Sequence, residues 1–540
     1  MNVMLAGGFV RFVQGIAAAA PTLAVGLFVA AVLRYYLGQA GTKRLFGGES
    51  LWALPQAWLV GMLLPVCSIG VIPIIREMRR MGIRPGAITA FALSAPLFNP
   101  LSLLYGLTLS RPYVIVGFAF GSLLVVTVLG VVWDRFAAPL GSSTNRVGNP
   151  IGLRRLGVSA LFMGRELCGP SGLLALVALA GLWFLGSLLP HGALQSTVEQ
   201  LDPLAPATMS LVAVPIYATP MLTMSQLGMM FAHGNSPGAA FALLLLGTGV
   251  NLGTLWWIGR NFGWRSTAIW FSVLFVVVLG VAYAIDRPLI PPGIEPAGHT
   301  HAFDVYTNPF HSGEALSMST IWDAIDKNLS IFDAATVGLI ALMLVSGIIS
   351  QKRARTYCDN LLEADDADEI SVAPEDAGQN SGTGLNRRVS SRTVGLTCLA
   401  GLVSLSIVGC YAYYPEPSEV FEEMSLARVE VLSGVTSHQY DRALHWIPIL
   451  EEWSRKLEVG YALRNFELRP YQQMQAYLLR KKLESLEHEL EHELEDEHEH
   501  ETHASSREAS TSSLNTIELD ELRAQIMANA RRLSLAFQRH

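Results

Sequence analysis

Two long stretches of this chain, residues 85–133 and 207–259, contain no Asp, Glu or Lys. Charged residues make up 15% of the 540 and hydrophobic residues 51%. Apolar runs of this length suit a bilayer and exclude an ordinary water-soluble core for most of the chain. The same lack removes the usual proton carriers from both stretches, leaving Glu77, beside Arg76, as the nearest carboxylate for coupling. Cysteine is scarce as well. Cys67, Cys168, Cys358, Cys398 and Cys410 form no Cys-x-x-Cys pair, which excludes a disulfide framework and a cysteine zinc site. There is no excess of basic residues: the net charge of −7 argues against a nucleic-acid partner. No Gly-x-x-x-x-Gly-Lys-Ser/Thr run occurs, so this chain alone is not expected to hydrolyse ATP or to act as an enzyme. The first apolar run is too long for a signal peptide and lacks a small-residue cleavage pattern, so it reads as a retained span.

What is present is a repeat. Gly82, Pro85-Gly86-Ala87 and Asn99 are matched, without a gap, by Gly234, Pro237-Gly238-Ala239 and Asn251. Proline suits a first helical position, so each copy reads as a helix opening at Pro85 or Pro237. At about 1.5 Å per residue, each asparagine falls roughly 21 Å further on, near mid-depth in a hydrocarbon layer about 30 Å thick. Pro65, Pro73, Pro96 and Pro100 in the first copy, and Pro220, Gly247 and Gly249 in the second, mark helix breaks. Backbone opened at that depth cannot face lipid and must face protein or a polar cavity. Paired breaks in corresponding halves point to a transporter site where the halves meet. The expected substrate ligands are Cys67, Ser68 and Asn99 from the first copy and Thr219, Thr223, Thr248 and Asn251 from the second.

The run Pro65-Val-Cys-Ser-Ile-Gly-Val-Ile-Pro73, the basic turn after it, Pro85-Gly-Ala and Ala95-Pro-Leu-Phe-Asn-Pro100 resemble a bacterial predicted-permease family. That family includes the ArsP-type organoarsenical exporters. Its repeats carry a proline, a Cys-Ser-Cys-Gly-like element, a basic stretch and a Pro-Gly-Ala-Ala-like helix start. Here Cys67 is kept, Ile69 stands where a second cysteine is expected, and the second copy reads Pro215-Ile-Tyr-Ala-Thr-Pro220. The resemblance extends over about residues 10–285. It implies a secondary permease of the bacterial inner membrane that exports a metal or metalloid ion or a small organic conjugate.

Hydropathy gives about ten candidate spans, near 12–37, 53–75, 85–109, 112–133, 171–190, 207–231, 238–258, 266–285, 332–350 and 393–414. The expected fold is therefore an all-α integral membrane protein of two repeats with broken helices, plus a helical C-terminal polar domain. Its parts are 1–150 and 151–286 (the repeats), 287–331 (a polar loop), 332–414 (two further spans around an acidic linker at 351–392) and 415–540. Basic clusters follow the second, fourth, seventh and ninth spans, whereas 191–206 and the turn at His233 have none. Strict alternation cannot place all four clusters in the cytoplasm. An added or missing crossing between 150 and 235 resolves this, and it turns the second repeat upside down relative to the first.

Outside the repeats the signals are histidines. The polar loop holds His299, His301 and His311, and imidazole suits Zn, Cu or Ni. His438, Asp441 and His445 have the spacing of one helix face. The tract from Glu484 contains His488-Glu489-Leu490-Glu491-His492, formally a zinc-protease pattern, but a charged helix offers neither a third ligand nor a dry cleft. A divalent metal ion on the loop or the tract is the one cofactor these residues suggest. The partners expected are the lipid bilayer, a small ionic or metalloid substrate and a second copy of the chain. A different reading makes the chain a membrane-anchored metal sensor or accessory protein working through its His/Glu-rich domain.

Overall fold

The computed structural model describes residues 3–137 (apart from 49, 51 and 111), 153–290 (apart from 196, 197 and 201), 300–310, 316–326, 329, 331–352, 391–502 and 511–538. The described residues are helical, with no strand among them. They divide into two units, Met1–Gly106 with Ser110–Ser406, and Leu107–Leu109 with Ile407–His540.

In the first unit α1 (Val3–Val32) passes through a π-helical turn, Leu33–Leu37, into α2 (Gly38–Leu45). Two half-length helices follow, α3 (Ala53–Leu63) and α4 (Val71–Arg80), then α5 (Pro85–Ser94), α6 (Pro100–Leu109) and the long α7 (Pro112–Phe136). The second stretch has α8 (Leu153–Leu167) and the long α9 (Pro170–Leu188), then the half-length α10 (Ala205–Ala213) and α11 (Pro220–Ala232). After them come α12 (Pro237–Ala242) with a π-helical extension Leu243–Thr248, α13 (Leu252–Phe262) and the long α14 (Trp264–Asp286). A 3₁₀ turn at His301–Tyr306, α15 (Met318–Asp326), α16 (Ile331–Lys352) and α17 (Ser391–Tyr413) complete the order.

The ten full-length spans expected are not all found among the described residues. Among the described residues five helical runs are long and apolar enough to cross a membrane: Val3–Leu45, Pro112–Phe136, Pro170–Leu188, Trp264–Asp286 and Phe332–Gln351. A sixth candidate is the pair Pro237–Thr248 and Leu252–Phe262, bent by 59°. Windows at 53–75, 85–109 and 207–231 average across breaks, where Pro, Gly and Asn interrupt the backbone ladder and leave shorter helices. Residues 85–94 form a helix opening at Pro85, but that helix stops at Ser94, so Asn99 caps the next one instead of ending the first. Its Oδ1 accepts from the Ser102 N–H at 2.7 Å, and Ser102 Oγ accepts from the Asn99 N–H at 2.9 Å. Asn251 repeats the first half of this, with Oδ1 accepting from the Thr254 N–H at 2.8 Å.

Two glycine contacts bring the long helices onto the breaks. A Cβ at Gly26 of α1 would lie 1.9 Å from the Gly70 carbonyl oxygen, and one at Gly181 of α9 would lie 2.0 Å from that of Pro215. Backbone meets backbone at both places, which only a residue without a side chain permits.

The second unit has its own core. The helices α18 (Pro417–Thr436), α19 (Tyr440–Asn465), α20 (Pro470–Thr502) and α21 (Thr511–Gln538) bury Val431, Leu457, Leu479, Leu486, Ile526 and Leu533 together. Arg480 reaches Glu458 at 2.5 Å across two of these helices, and burial pushes that carboxyl upward against the pull of the guanidinium. His438 is not on a helix face with His445: it holds φ 53° in the turn before α19, with Nδ1 2.9 Å from the Tyr440 hydroxyl. The last helix runs from Thr511 to Gln538. The acidic linker at 351–392 lies largely outside the described residues.

Candidate functional site

The helix α1 serves as a ruler for the membrane unit. Near one end Arg11 donates from Nε to the Thr307 carbonyl at 2.8 Å. Near the other Arg34 lies 3.3 Å from Glu77 Oε1. Thr22 is between them, its Oγ1 2.7 Å from Cys67 Sγ. At ~1.5 Å per residue, Thr22 is roughly 17 Å from Arg11 and roughly 18 Å from Arg34 along the axis.

Cys67 is fully buried in the break between α3 and α4, and its sulfur is a focus of donors. The Gly70 N–H donates at 3.3 Å and the Tyr217 hydroxyl at 3.2 Å. Tyr217 is the residue standing in the second copy where Cys67 stands in the first, when Pro65 is set against Pro215. On that alignment, two residues short of the offset from Pro85 to Pro237, the two counterparts touch. In the second copy Thr223 and Thr248 share a hydrogen bond of 2.6 Å, joining α11 to the end of the π-helical turn. The breaks also meet through Gly249, where an added Cβ would lie 3.0 Å from Leu93 Cδ1 and 3.2 Å from the Leu93 carbonyl oxygen.

Other expected ligands are placed differently. Thr219 Oγ1 accepts from the Leu222 N–H at 3.3 Å and so caps α11. Ser68 Oγ and Asn251 Nδ2 are buried and have no hydrogen-bond partner among the described residues. Buried groups in this condition call for a water, an ion or a ligand. Among the described residues, no hydrogen bond joins the Ser68 or Asn99 side chain to the second copy. Pro65 lies in the first break, Pro96 in the turn after α5, Pro100 and Pro220 at helix starts, Gly247 in the π-helical extension and Gly249 just after it. Pro73 departs from expectation, since it occupies the first turn of α4, where proline needs no N–H partner.

Several groups escaped the sequence reading. Asp134 Oδ1 accepts from the Gly86 N–H at 2.7 Å while Arg84 pairs with Oδ2 at 2.8 Å. Asp286 Oδ1 accepts from the Gly238 N–H at 2.9 Å and from Ser236 Oγ at 2.6 Å. The offset from Pro85 to Pro237 also takes Asp134 to Asp286 and Arg84 to Ser236, so that signal was available. An ionic cluster was only half visible. Glu77, 1% exposed, takes both Arg34 and Arg80 on one oxygen, and the other oxygen has no partner among the described residues. Glu166, 7% exposed, pairs with Arg76 at 2.7 Å and accepts from Ser171 Oγ at 2.7 Å. Five charges thus tie α4, α8 and the π-turn together, and the Ser171 hydroxyl adds α9.

The histidines form no metal cluster among the described residues. His301 Nδ1 is 2.8 Å from Asp304 Oδ2 and 3.1 Å from Gln195 Nε2. His299 and His311 lie outside the described residues, as does the side chain of His492. His488 is on α20, between the buried Leu486 and Leu490.

Comparison with known proteins adds the following. Residues 6–143 match a protein-family model described as "Predicted permease". Over 92 residues the chain is 28% identical to UPF0718 protein YcgR of Bacillus subtilis (strain 168), covering 17% of this chain and 31% of that protein. The chain thus matches less than a third of that relative's length. No solved structure matches it significantly. The resemblance to a predicted-permease family is borne out over residues 6–143, the first half of the expected extent of about 10–285, a stretch that holds Cys67, Glu77, Asn99 and Asp134. With its apolar helices, the chain is an integral membrane protein.

Proposed function

We propose that the chain is a secondary transporter in which two duplicated halves, 1–150 and 151–286, enclose a mid-depth site at Cys67, Tyr217, Thr223, Thr248 and Asn251. The observation that carries this reading is the contact between Cys67 and Tyr217, residues in corresponding breaks of the two copies. Thr22 beside the sulfur, near the middle of a ~35 Å stretch of α1, agrees with mid-depth in a bilayer core of about 30 Å. The unpartnered Ser68 Oγ and Asn251 Nδ2 suit a polar cargo in transit. Thiol sulfur beside hydroxyls favours a soft, thiophilic ion or a small organic conjugate of one, with export from the cell as the direction.

The halves are read as inverted. The turn at Gly82 belongs to the Arg34 end of α1, since Gln39 Nε2 donates to the Met81 carbonyl at 3.3 Å. The turn at Gly234 belongs to the Arg11 end, where His233 Nδ1 is 3.2 Å from Thr300 Oγ1 and Arg11 holds the segment that follows Thr300. On this reading α3–α4 and α10–α11 enter from opposite faces and turn back at mid-depth, while α5–α6 and α12–α13 cross. Arg79, whose guanidinium lies over Phe262, brings the basic residues after α13 to the same end as those after α4. All four basic clusters then fall on the cytoplasmic face, which strict alternation of ten spans does not allow.

Single-cysteine labelling in intact cells tests the arrangement. Lys43→Cys, near the first turn, should react only after permeabilisation, and Glu199→Cys, near the second, should react with an impermeant reagent directly. Labelling of both from one side would end the inverted reading. The substrate class is tested by growth of a deletion strain, with and without the chain, against a panel of metal ions, trivalent arsenicals and organic toxicants. Equal growth across the panel would sink the export reading.

A further inference from the structure

Residues 300–310 lie in the stretch 287–331 that reads as a polar loop, yet the structure buries most of them as a core element would be buried. Thr300, Phe303 and Thr307 are fully buried, and Ala302 and Tyr306 are 1% exposed. A connecting loop normally stays at the surface, because its backbone groups lack partners inside. Here side chains of the membrane unit supply them. Gln226 Nε2, on α11, donates to the Ala302 carbonyl at 2.8 Å. Arg11, on α1, donates to the Asp304 carbonyl at 2.5 Å and to that of Thr307. The Tyr306 hydroxyl returns a bond to Gln226 Oε1 at 2.9 Å. Both flanks are pinned to one stretch after α9: the Thr300 N–H donates to the Gln195 carbonyl and the Asn308 N–H to that of Leu189, each at 2.9 Å.

The position of this segment matters as much as its burial. Gln226, which binds both the Ala302 carbonyl and the Tyr306 hydroxyl, is one turn beyond Thr223 on α11, and Thr223 is bonded to Thr248 of the proposed central site. We propose that residues 300–310 form a plug closing the Arg11 end of the central site, with Tyr306 at its tip and the Gln226 and Arg11 side chains as its latch. Access to Cys67 from that end requires the plug to withdraw. The six hydrogen bonds just named tether a short segment, so release is a local event that leaves the long helices in place. The proposal rests on the reading of Cys67 and Tyr217 as the central site, but its test needs no substrate.

The test is the rate at which N-ethylmaleimide modifies Cys67 in full-length protein in detergent, read from the peptide that contains Cys67. In the wild type the reaction is expected to be slow, limited by rare opening. Gln226→Ala and Arg11→Gln should each raise the rate at least tenfold. Gln195→Cys with Thr300→Cys, oxidised to a disulfide, should return the Gln226→Ala rate to the wild-type value, and reduction should release it again. Unchanged labelling in latch variants that elute as monodisperse protein would overturn the proposal, and so would fast labelling that persists in the locked form. If the latch variants do not fold, the disulfide alone decides: it must slow labelling below the wild-type rate, and no slowing refutes the plug. Failure here leaves the growth panel free to support export, and failure of the panel leaves the plug standing.

Discussion

Serine in place of Cys67 is expected to cost the chain at least tenfold in transport of a thiophilic substrate, measured as uptake into everted membrane vesicles. The sulfur is the one soft atom among the residues proposed for the central site, and thiolate is the ligand that discriminates such ions from hard ones. Serine keeps a hydroxyl for the Gly70 N–H and for Tyr217, so the break between α3 and α4 should hold its shape. A loss therefore reports chemistry at the sulfur and not collapse around it. A tenfold loss corresponds to about 1.4 kcal/mol, a modest demand on one soft ligand. Tyr217→Phe, which removes one donor to the sulfur, is expected to give a smaller loss of the same sign. If Cys67→Ser transports every substrate as the wild type does, the sulfur is not a ligand and the soft-ion reading goes with it.

The second large effect is expected at Arg76 and Glu166. Both are well buried, at 14% and 7% exposed, and they join α4 of the first copy to α8, which leads into the second. Removing one member of a buried pair strands the other charge, at a cost of about 3–5 kcal/mol. Glu166→Ala should therefore lower the unfolding temperature by roughly 10 °C, taking a few degrees per kcal/mol for a unit of this size. Arg76→Met with Glu166→Leu removes both charges together and is expected to recover much of the loss, since a buried ion pair adds little over an apolar pair. Thermal denaturation of the purified variants in detergent decides. A single variant with wild-type stability would mean that water reaches the cluster and screens it.

How much of this was legible in advance differs from place to place. The resemblance rested on residues 65–105, and Asn99 and Asn251 could be recognised as interruptions because a polar residue beside Pro or Gly stands out in an apolar run. The half-length helices were not legible in the same way. A hydropathy window cannot distinguish a crossing from two short helices separated by Val66-Cys67-Ser68-Ile69-Gly70, because the break is itself apolar. Tyr217 was passed over because the second copy was searched for cysteine, although the alignment of Pro65 with Pro215 pointed to it directly. Gln226 and Tyr306 had no sequence signal: their roles depend on a loop folding back about 80 residues after α11, which no periodicity reports. Glu166 was out of reach for the same reason, since only the packing of α8 brings it to Arg76.

The duplicated carboxylates carry one more implication. Were the two halves alike in every contact, neither face of the membrane would be the preferred exit, and the transporter would idle with both equally available. They are not alike at one matched position. Asp134 is paired with the charged guanidinium of Arg84, whereas Asp286 accepts a hydrogen bond from the uncharged hydroxyl of Ser236. The start of α5 is thus joined to α7 by an ion pair as well as a backbone hydrogen bond, and the start of α12 to α14 by hydrogen bonds without a partner cation on Ser236. In the transporter proposed above, that difference makes the two ends of the cycle unequal, with an arginine at position 84 and a serine at position 236.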